Sequence, residues 1–371
     1  MNSSKIKINK NKFNNAVDYI INHELLLSLL VVIISVAVGS FLGYQSNKNI
    51  ISNPINLVHY SLEPYYRLSF LANWDGVRYI SIANHGYSIP FLTGFFPLYP
   101  ILILVVSKLL GSALVSALII SWVCLFGAIY YYIKIIKLYF KLNDNIEALK
   151  GTLLFVLFPS GVYLIAAYTE SLFALLSLAA IYYAFKRRYI LVGLFSMFAT
   201  ATRINGAFVL LLVAIILFEE KEKLKNIFIT LVIGIIGLLS YILFLMTKFK
   251  NPLEFIGAQK DHHWLQSSLL SKLSTIAAID YFLLIAVVWT TVYWWKRRKS
   301  FAIYSASFLL IPLVGGQFGG FPRYCIMLFP MQFMLFEYFR KKTFVYTLIL
   351  IFFAISWTYI LLQYSAGYVV S

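Results

Sequence analysis

Apolar runs near 25–44, 95–110, 112–133, 149–166, 169–185, 189–218, 226–247, 277–295, 300–316, 323–339 and 344–363 fill most of this 371-residue chain. A bilayer core about 30 Å thick takes about 20 residues of helix, so most of these runs are long enough to span. Hydrophobic residues make up 61% of the sequence and charged residues only 12%, against about 25% charged in a soluble domain. No soluble core of this length hides so much apolar surface. The chain is therefore expected to be an all-α polytopic membrane protein, a single transmembrane domain over 1–371.

Charge sets the expected topology. The formal net charge is +17, but the Lys and Arg fall in short clusters between apolar runs and form no contiguous basic face with exposed aromatics. That pattern suits cytoplasmic loops facing anionic membrane lipid, not nucleic acid. The Lys5–Lys12 cluster places the N-terminus inside, and the first apolar run, with no clear small-residue cleavage site, reads as a retained helix. The polar stretch of about 45–93 is then a long first external loop, with apolar residues at helical spacing over 68–87 suggesting interfacial helices. Basic clusters at Lys134/Lys137/Lys141/Lys150, Lys186/Arg187/Arg188, Lys221/Lys223/Lys225, Lys296/Arg297/Arg298/Lys299 and Arg340/Lys341/Lys342 all fall inside on two conditions. The run 189–218 must be two short helices broken near "TATRING", and 95–110 must lie flat or re-enter. About 11 crossings result. The motifs "WDGVRY", "YTES", "TRING", "GAQKDHHW" and "GGQFGGFPRY" then gather on the external side.

Those motifs carry the candidate chemistry. Asp75 lies beside Trp74, and Arg78 three residues on shares its helical face. Trp74, Tyr79, His85 and Tyr87, with "FFPLYP" beyond, form an aromatic platform of the sort carbohydrates favour. Glu170 in "AAYTESLF" is expected at a helix start, favoured by the macrodipole, with Thr169 as cap. Arg203 sits within an apolar run, where an unpaired cation is expensive; Arg323 makes the same case at a later helix start. Two arginines on one face suit bidentate clamping of a phosphate. The other reading has them snorkelling, or pairing with Glu170 and Glu254. Gln259 and Trp264 look sugar-facing, while Lys260 or a histidine, His263 among them, suits a phosphate. Adjacent His262 and His263 point about 100° apart on a helix and lack a metal-ligand spacing, so no metal and no cofactor is expected. Cys124 and Cys325 fall in or beside apolar runs, as buried free thiols.

"WDGVRYISIANHGY", "FFPLYPIL", "LFPSGVYLIAAYTESLFALLS", "TRINGAFVLL" and the late Arg323–Tyr324 pair, taken in order, resemble the GPI mannosyltransferase II (PIG-V-like) family of GT-C membrane glycosyltransferases. The resemblance covers about 72–325; it departs at Ile204, where many members carry Pro, and no added soluble domain is seen. It implies a GT-C-type bundle and a polyprenyl-phosphate sugar donor of the dolichyl- or undecaprenyl-phosphate mannose class. It implies an inverting transfer to a glycan, glycolipid or protein acceptor on the external or luminal face. By the match, Asp75 takes the place of the catalytic acid of the first external loop; Glu170, a further catalytic candidate, falls on another motif position. Arg203, Gln259, Arg323 and Tyr324 fall on further motif positions. The alternative from another class is a lipid-linked sugar flippase or transporter, which shares the helices and intramembrane arginines. Transporters show internal repeats and midplane charges, neither of which is clear here.

Overall fold

The computed structural model describes residues 19, 23–48, 66–261, 278–310 and 320–368. In chain order the helices are α1 (Glu24–Lys48), α2 (Asp75–His85), α3 (Leu98–Leu110), α4 (Ala113–Phe140), α5 (Asn145–Val156), α6 (Val162–Ile165), α7 (Glu170–Phe185) and α8 (Tyr189–Thr202). They continue as α9 (Gly206–Glu219), α10 (Leu224–Phe249), α11 (Glu254–Asp261), α12 (Ala278–Trp295), α13 (Lys299–Ser307), α14 (Phe321–Cys325), α15 (Phe329–Phe339) and α16 (Thr343–Ser365). Short 3₁₀ segments lie at Tyr66–Ala72, Pro90–Gly94 and Pro159–Gly161. No strand occurs among the described residues, as the apolar runs predict.

Four helices there are long and apolar enough to cross a membrane: Glu24–Ser46, α4, α10 and α16. A fifth span exists if Asn145–Val156 and Pro159–Ile165, bent by 84°, count as one. Five further apolar helices have 10–17 residues: α3, α7, α8, α9 and Tyr281–Trp295. This count by length is smaller than the eleven crossings expected, because several runs are split or capped by polar residues. A 14-residue helix reaches about 21 Å, short of a bilayer core of about 30 Å. Broken and shortened helices are tolerated at membrane depth where protein or a polar cavity satisfies their ends.

Local signals explain the element ends. The Ser112 side chain caps α4 by accepting from the Val115 N–H at 3.2 Å, and Asp144 caps α5 by accepting from Ile146 N–H at 2.8 Å. Arg203 is extended (φ −155°, ψ 151°), which ends α8, and α9 begins three residues later. The break expected near "TATRING" is therefore present. Gly206 makes the reversal possible: a Cβ there would lie 2.5 Å from the Ala199 backbone. Of the long helices α4 is the most enclosed, with 61% of its most apolar stretch buried against 22% to 28% for the other three. It is the spine on which α1, α3, α5 and α7 pack.

Ion pairs fix one end of the bundle. Glu24 at the start of α1 accepts from Lys137 at 2.6 Å and pairs with Lys134 at 3.1 Å, while Lys137 also reaches Asn145 at 2.7 Å. Arg187 meets Glu222 at 3.1 Å and Arg298 meets Glu220 at 2.8 Å. Four members of the basic clusters are thus tied to acids that close the turns between helices. The motifs "YTES" and "TRING" lie at the opposite helix ends: α7 runs from Glu170 to the Arg187 turn, and α8 returns to Arg203. The segregation of basic clusters from polar motifs is therefore built into the packing. Helix α2, over Asp75–His85, packs into the bundle, burying Gly76, Tyr79, Ile80, Ile82 and Ala83. Helix α1 runs past Tyr44 to Lys48.

Helices α8 and α10 pack against each other at close quarters. A Cβ on Gly237 would come within 1.9 Å of the Met197 carbonyl oxygen and 2.6 Å of Thr200 Oγ1. Gly237→Ala must push the helices apart, and overpacking of this sort costs about 1–3 kcal/mol. We expect a lower Tm for Gly237→Ala in detergent, and little change for Gly257→Ala, whose Cβ would meet nothing closer than 3.9 Å.

Candidate active site

Asp75 is presented by a sharp turn. The Gly76 N–H donates to the Asn73 carbonyl at 3.1 Å, closing a four-residue turn over Asn73–Gly76. Trp74 occupies its second position with φ 57° and ψ −110°, the geometry of a type II′ turn, where Gly is usual. A bulky residue at such a φ is strained, by about 1–3 kcal/mol. The turn is held from outside itself. Tyr168 donates its hydroxyl to the Asn73 carbonyl at 2.9 Å and accepts from the Asp75 N–H at 3.3 Å. The Asn73 side-chain amide donates to the Tyr364 carbonyl at 2.8 Å, which ties the turn to the end of α16.

Five charged side chains meet beyond this turn. Asp75 Oδ1 pairs with Arg78 at 3.2 Å, one helical turn along α2, and Asp75 Oδ2 accepts from Arg323 Nη1 at 2.6 Å. Arg323 bridges onward, its Nε donating to Glu170 Oε1. The same Glu170 oxygen accepts from Arg203 Nη1 at 2.6 Å. Both acids are the first residues of their helices and Arg203 follows the last turn of α8, so each charge complements a helix dipole. The guanidinium faces are covered by aromatic rings: Arg203 over Tyr324 at 5.0 Å, Arg323 over Tyr168 at 4.7 Å and Tyr163 at 5.3 Å, Arg78 over Phe91 at 5.5 Å. Burial pushes the Asp75 carboxyl up, but Arg323, then Arg78 and Arg203, outweigh it and hold it below the usual carboxylate value. Two carboxylates against three guanidiniums leave one positive charge, a balance that suits an anion rather than a metal cation. Among the described residues no group of three or more His, Cys, Asp or Glu side chains comes together.

The structure thus brings Asp75, Arg78, Glu170, Arg203, Arg323 and Tyr324 together from four separate stretches of sequence. Tyr79 joins by its hydroxyl, 3.4 Å from Thr169 Oγ1. Its ring is buried and packs edge-on with Phe95 and Tyr99, so it offers no face to a sugar. Tyr87, also expected in the aromatic platform, is buried against Tyr241 and Phe244 and donates to the Phe95 carbonyl at 2.6 Å. His85 is exposed at the far end of α2 from Asp75. Trp74 is 37% exposed and is the platform member beside Asp75 that can meet a ligand. Thr169 makes no side-chain cap to α7; its hydroxyl instead accepts from Arg203 at 3.3 Å. Glu254 bonds Asn251 at 2.7 Å, not an arginine. Gln259 and Lys260 lie on α11, whose helix packs against the Pro90–Gly94 turn, while His263 and Trp264 lie outside the described residues. Cys124 and Cys325 are buried and free. Tyr168, Asn73 and Tyr364 were not legible as site residues; the adjacency of Tyr168 to "TES" is the one local signal for any of them.

The helices and this recessed polar cluster define the class: a multi-pass helical membrane protein with an anion-favouring ionic site at one end of its bundle. The mannosyltransferase (PIG-V) family profile matches residues 14–251, well over half of the sequence, and the chain belongs to that family. GPI alpha-1,6-mannosyltransferase 2 of Homo sapiens is 33% identical over 148 residues, 38% of this chain and 30% of that protein. The Cricetulus griseus protein of the same name is 31% identical over the same shares. GPI mannosyltransferase 2 of Drosophila pseudoobscura pseudoobscura is 30% identical over 118 residues, 30% of this chain and 26% of the relative. The chain thus covers less than a third of the length of each of these relatives.

The strained turn is directly testable. Replacing Trp74 by Gly or by Ala removes the same ring, so their difference isolates the backbone. We expect Trp74→Gly to be the more stable of the two by about 1–2 kcal/mol, measured as Tm or urea midpoint in detergent. Equal stabilities, or a more stable Ala variant, would show that position 74 carries no strain.

Proposed function

We propose that this chain is a membrane mannosyltransferase that moves mannose from a polyprenyl-phosphate donor to a hydroxyl of a glycan, glycolipid or protein acceptor. The observation that carries the reading is the cluster of Asp75, Glu170, Arg78, Arg203 and Arg323, with its one surplus positive charge. Membership of the mannosyltransferase (PIG-V) family supports the sugar, and the names of the relatives support an anchor-glycan acceptor class. A single-domain GT-C-type bundle of about 11 crossings, with a cytoplasmic N-terminus and the site on the external or luminal face, completes the proposal.

The chemistry needs few groups. A polyprenyl phosphate is already a good leaving group on the anomeric carbon, so no nucleophilic carboxylate is required. The acceptor oxygen attacks from the face opposite the phosphate, the carbon–phosphate-oxygen bond breaks, and the acceptor proton passes to Asp75. Inversion at a β-linked donor gives an α-glycoside, the linkage in the name of the human relative. Arg203 and Arg323 stabilise the departing phosphate in a water-poor site, where fixed charges act most strongly. In the ligand-free arrangement Asp75 is a poor base, because Arg323 and Arg78 hold it ionised. A donor phosphate that draws the Arg323 N–H away from Asp75 raises its basicity as the donor binds. Trp74 and Arg78 border the same turn and contact the sugar or acceptor. Gln259, Lys260, His263 and Trp264 are placed on the sugar and phosphate side of this proposal.

Asp75→Asn keeps the side chain's size and removes the base. We expect transfer from polyprenyl-phosphate mannose in membranes to fall by about 10²-fold or more, with protein level and donor binding retained. Full activity in that variant removes Asp75 from the mechanism. Arg203→Ala and Arg323→Ala are expected to raise the donor KM and lower turnover, each costing about 2–4 kcal/mol of transition-state stabilisation. Unchanged kinetics in both would dismiss the phosphate clamp.

A further inference from the structure

Glu170 differs from Asp75 in every respect that bears on proton transfer. Its side chain is 0% exposed, against 15% for Asp75. Both arginines donate to one and the same oxygen, Oε1, while Oε2 is buried with no hydrogen-bond partner. An oxygen holding two guanidinium donors is a weak proton acceptor, and an acceptor hydroxyl has no route to a fully enclosed group. The surroundings instead fix the two cations. Arg203 Nη1, the atom that meets Glu170, also donates to Thr169 Oγ1, its guanidinium face lies over Tyr324, and Arg323 lies over Tyr168 and Tyr163. Towards these acceptors Arg203 donates through Nη1 and Arg323 through Nε and Nη1.

Resting on the transferase reading above, we propose that Glu170 is a positioning residue rather than an acid or base. Its single shared oxygen sets the spacing and angle between Arg203 and Arg323, so that their outward N–H edges converge on one phosphate, a diester in the donor and a monoester once it leaves. A carboxylate suits this task for two reasons. It neutralises one of two buried guanidiniums, which left alone would repel each other or snorkel away. As a rigid planar acceptor it also orients donors more tightly than water would. Preorganised donors cost no rearrangement when charge develops on the leaving phosphate.

Two substitutions separate reach from charge. Glu170→Gln keeps an acceptor oxygen at the same reach and loses the charge. Glu170→Asp keeps the charge and withdraws it by one methylene. The full-length protein in nanodiscs is tested for binding of a prenyl monophosphate lacking sugar, and for transfer kinetics with polyprenyl-phosphate mannose. Positioning predicts that Glu170→Asp is the worse variant, losing about tenfold or more in prenyl-monophosphate affinity and donor KM with a smaller change in kcat. Glu170→Gln, which keeps the shared acceptor oxygen but not the charge, is expected to lose prenyl-monophosphate affinity and transfer in parallel, affinity falling less than in Glu170→Asp. The reverse order, an inactive Gln variant that still binds and an active Asp variant, overturns the proposal in favour of acid–base chemistry. Wild-type affinity in both variants also overturns it. If Glu170→Asp is not monodisperse, Thr169→Val takes its place: it removes the second acceptor of Arg203 without touching Glu170. It is expected to weaken prenyl-monophosphate binding in the same direction, by about threefold, and unaltered binding there counts against the proposal. Wild-type protein that binds prenyl monophosphate yet transfers no sugar would end the transferase reading and leave the positioning of the arginines to be judged on binding alone.

Discussion

Two guanidiniums sharing one buried carboxylate oxygen is the constraint around which this end of the protein is organised. An arginine cannot be left unpaired in an apolar bundle, since breaking a buried pair costs about 3–5 kcal/mol. Arg203 and Arg323 therefore need Glu170, and Glu170 needs them. The partners lie 33 and 153 residues away from it in sequence. Meeting that requirement forces α7 to begin, α8 to stop and α14 to start at one level in the bundle. The start of α7 and the end of α8 lie where Glu170 and Arg203 find their partners. The other end of the bundle obeys the same rule with different residues. There, Glu24 gathers Lys134 and Lys137, while Glu220 and Glu222 gather Arg298 and Arg187.

The two ends nevertheless differ in what they leave over. The acids near Arg187 and Arg298 close turns between helices, and the pairs are partly exposed, where ion pairs contribute little. At the Asp75 end the pairs are enclosed and the count is uneven, three cations to two anions. Enclosure makes the surplus charge felt, and the aromatic rings over the guanidiniums keep the arginines from leaving. Such a surplus, in an enclosed site, favours an anion. Trp74, strained and exposed at the edge of the same cluster, adds a rigid aromatic surface beside the carboxylate.

Much of this was legible from residues read locally. An arginine amid an apolar run marks a break and a polar partner, and α8 does stop at Arg203. Glu170 after a Thr and before an apolar run marks a helix start, and α7 does begin there. Asp75 and Arg78 at a spacing of three share a helical face, and they pair. Local reading erred where a residue's job was decided by distant chain. Thr169 has the right position for a cap, but Arg203 draws its hydroxyl elsewhere. Tyr79 and Tyr87 sit at aromatic spacing near Asp75, yet packing against Phe95, Tyr99 and Tyr241 buries them. Tyr168 to Asn73 spans 95 residues and Asn73 to Tyr364 spans 291. No periodicity or motif encodes contacts of that range. Apolar length does not equal helix length for a related reason: among the described residues several apolar runs are split where a charged or polar group meets its partner, as at Arg203.

The position of Arg323 bears on how the family's site is assembled. The matched region ends at residue 251, and it contains Asp75, Arg78, Glu170 and Arg203. Those four groups alone balance, two anions to two cations, and hold no excess charge for a phosphate. Arg323, which turns the balance positive and links the two carboxylates, comes from the chain beyond that region. So do Tyr324, stacked on Arg203, and Tyr364, which meets the Asn73 turn. The last third of the sequence therefore contributes a charge to the cluster and does more than complete the bundle. It supplies the charge that makes the cluster an anion site, through a five-residue helix, α14, whose Pro322 carbonyl is held by Ser160 at 2.8 Å. That bond ties α14 to the turn between α5 and α6, so the arginine's position depends on the bend in that pair. A relative lacking the cation at this place would need another one near Glu170 and Asp75 to hold a phosphate there.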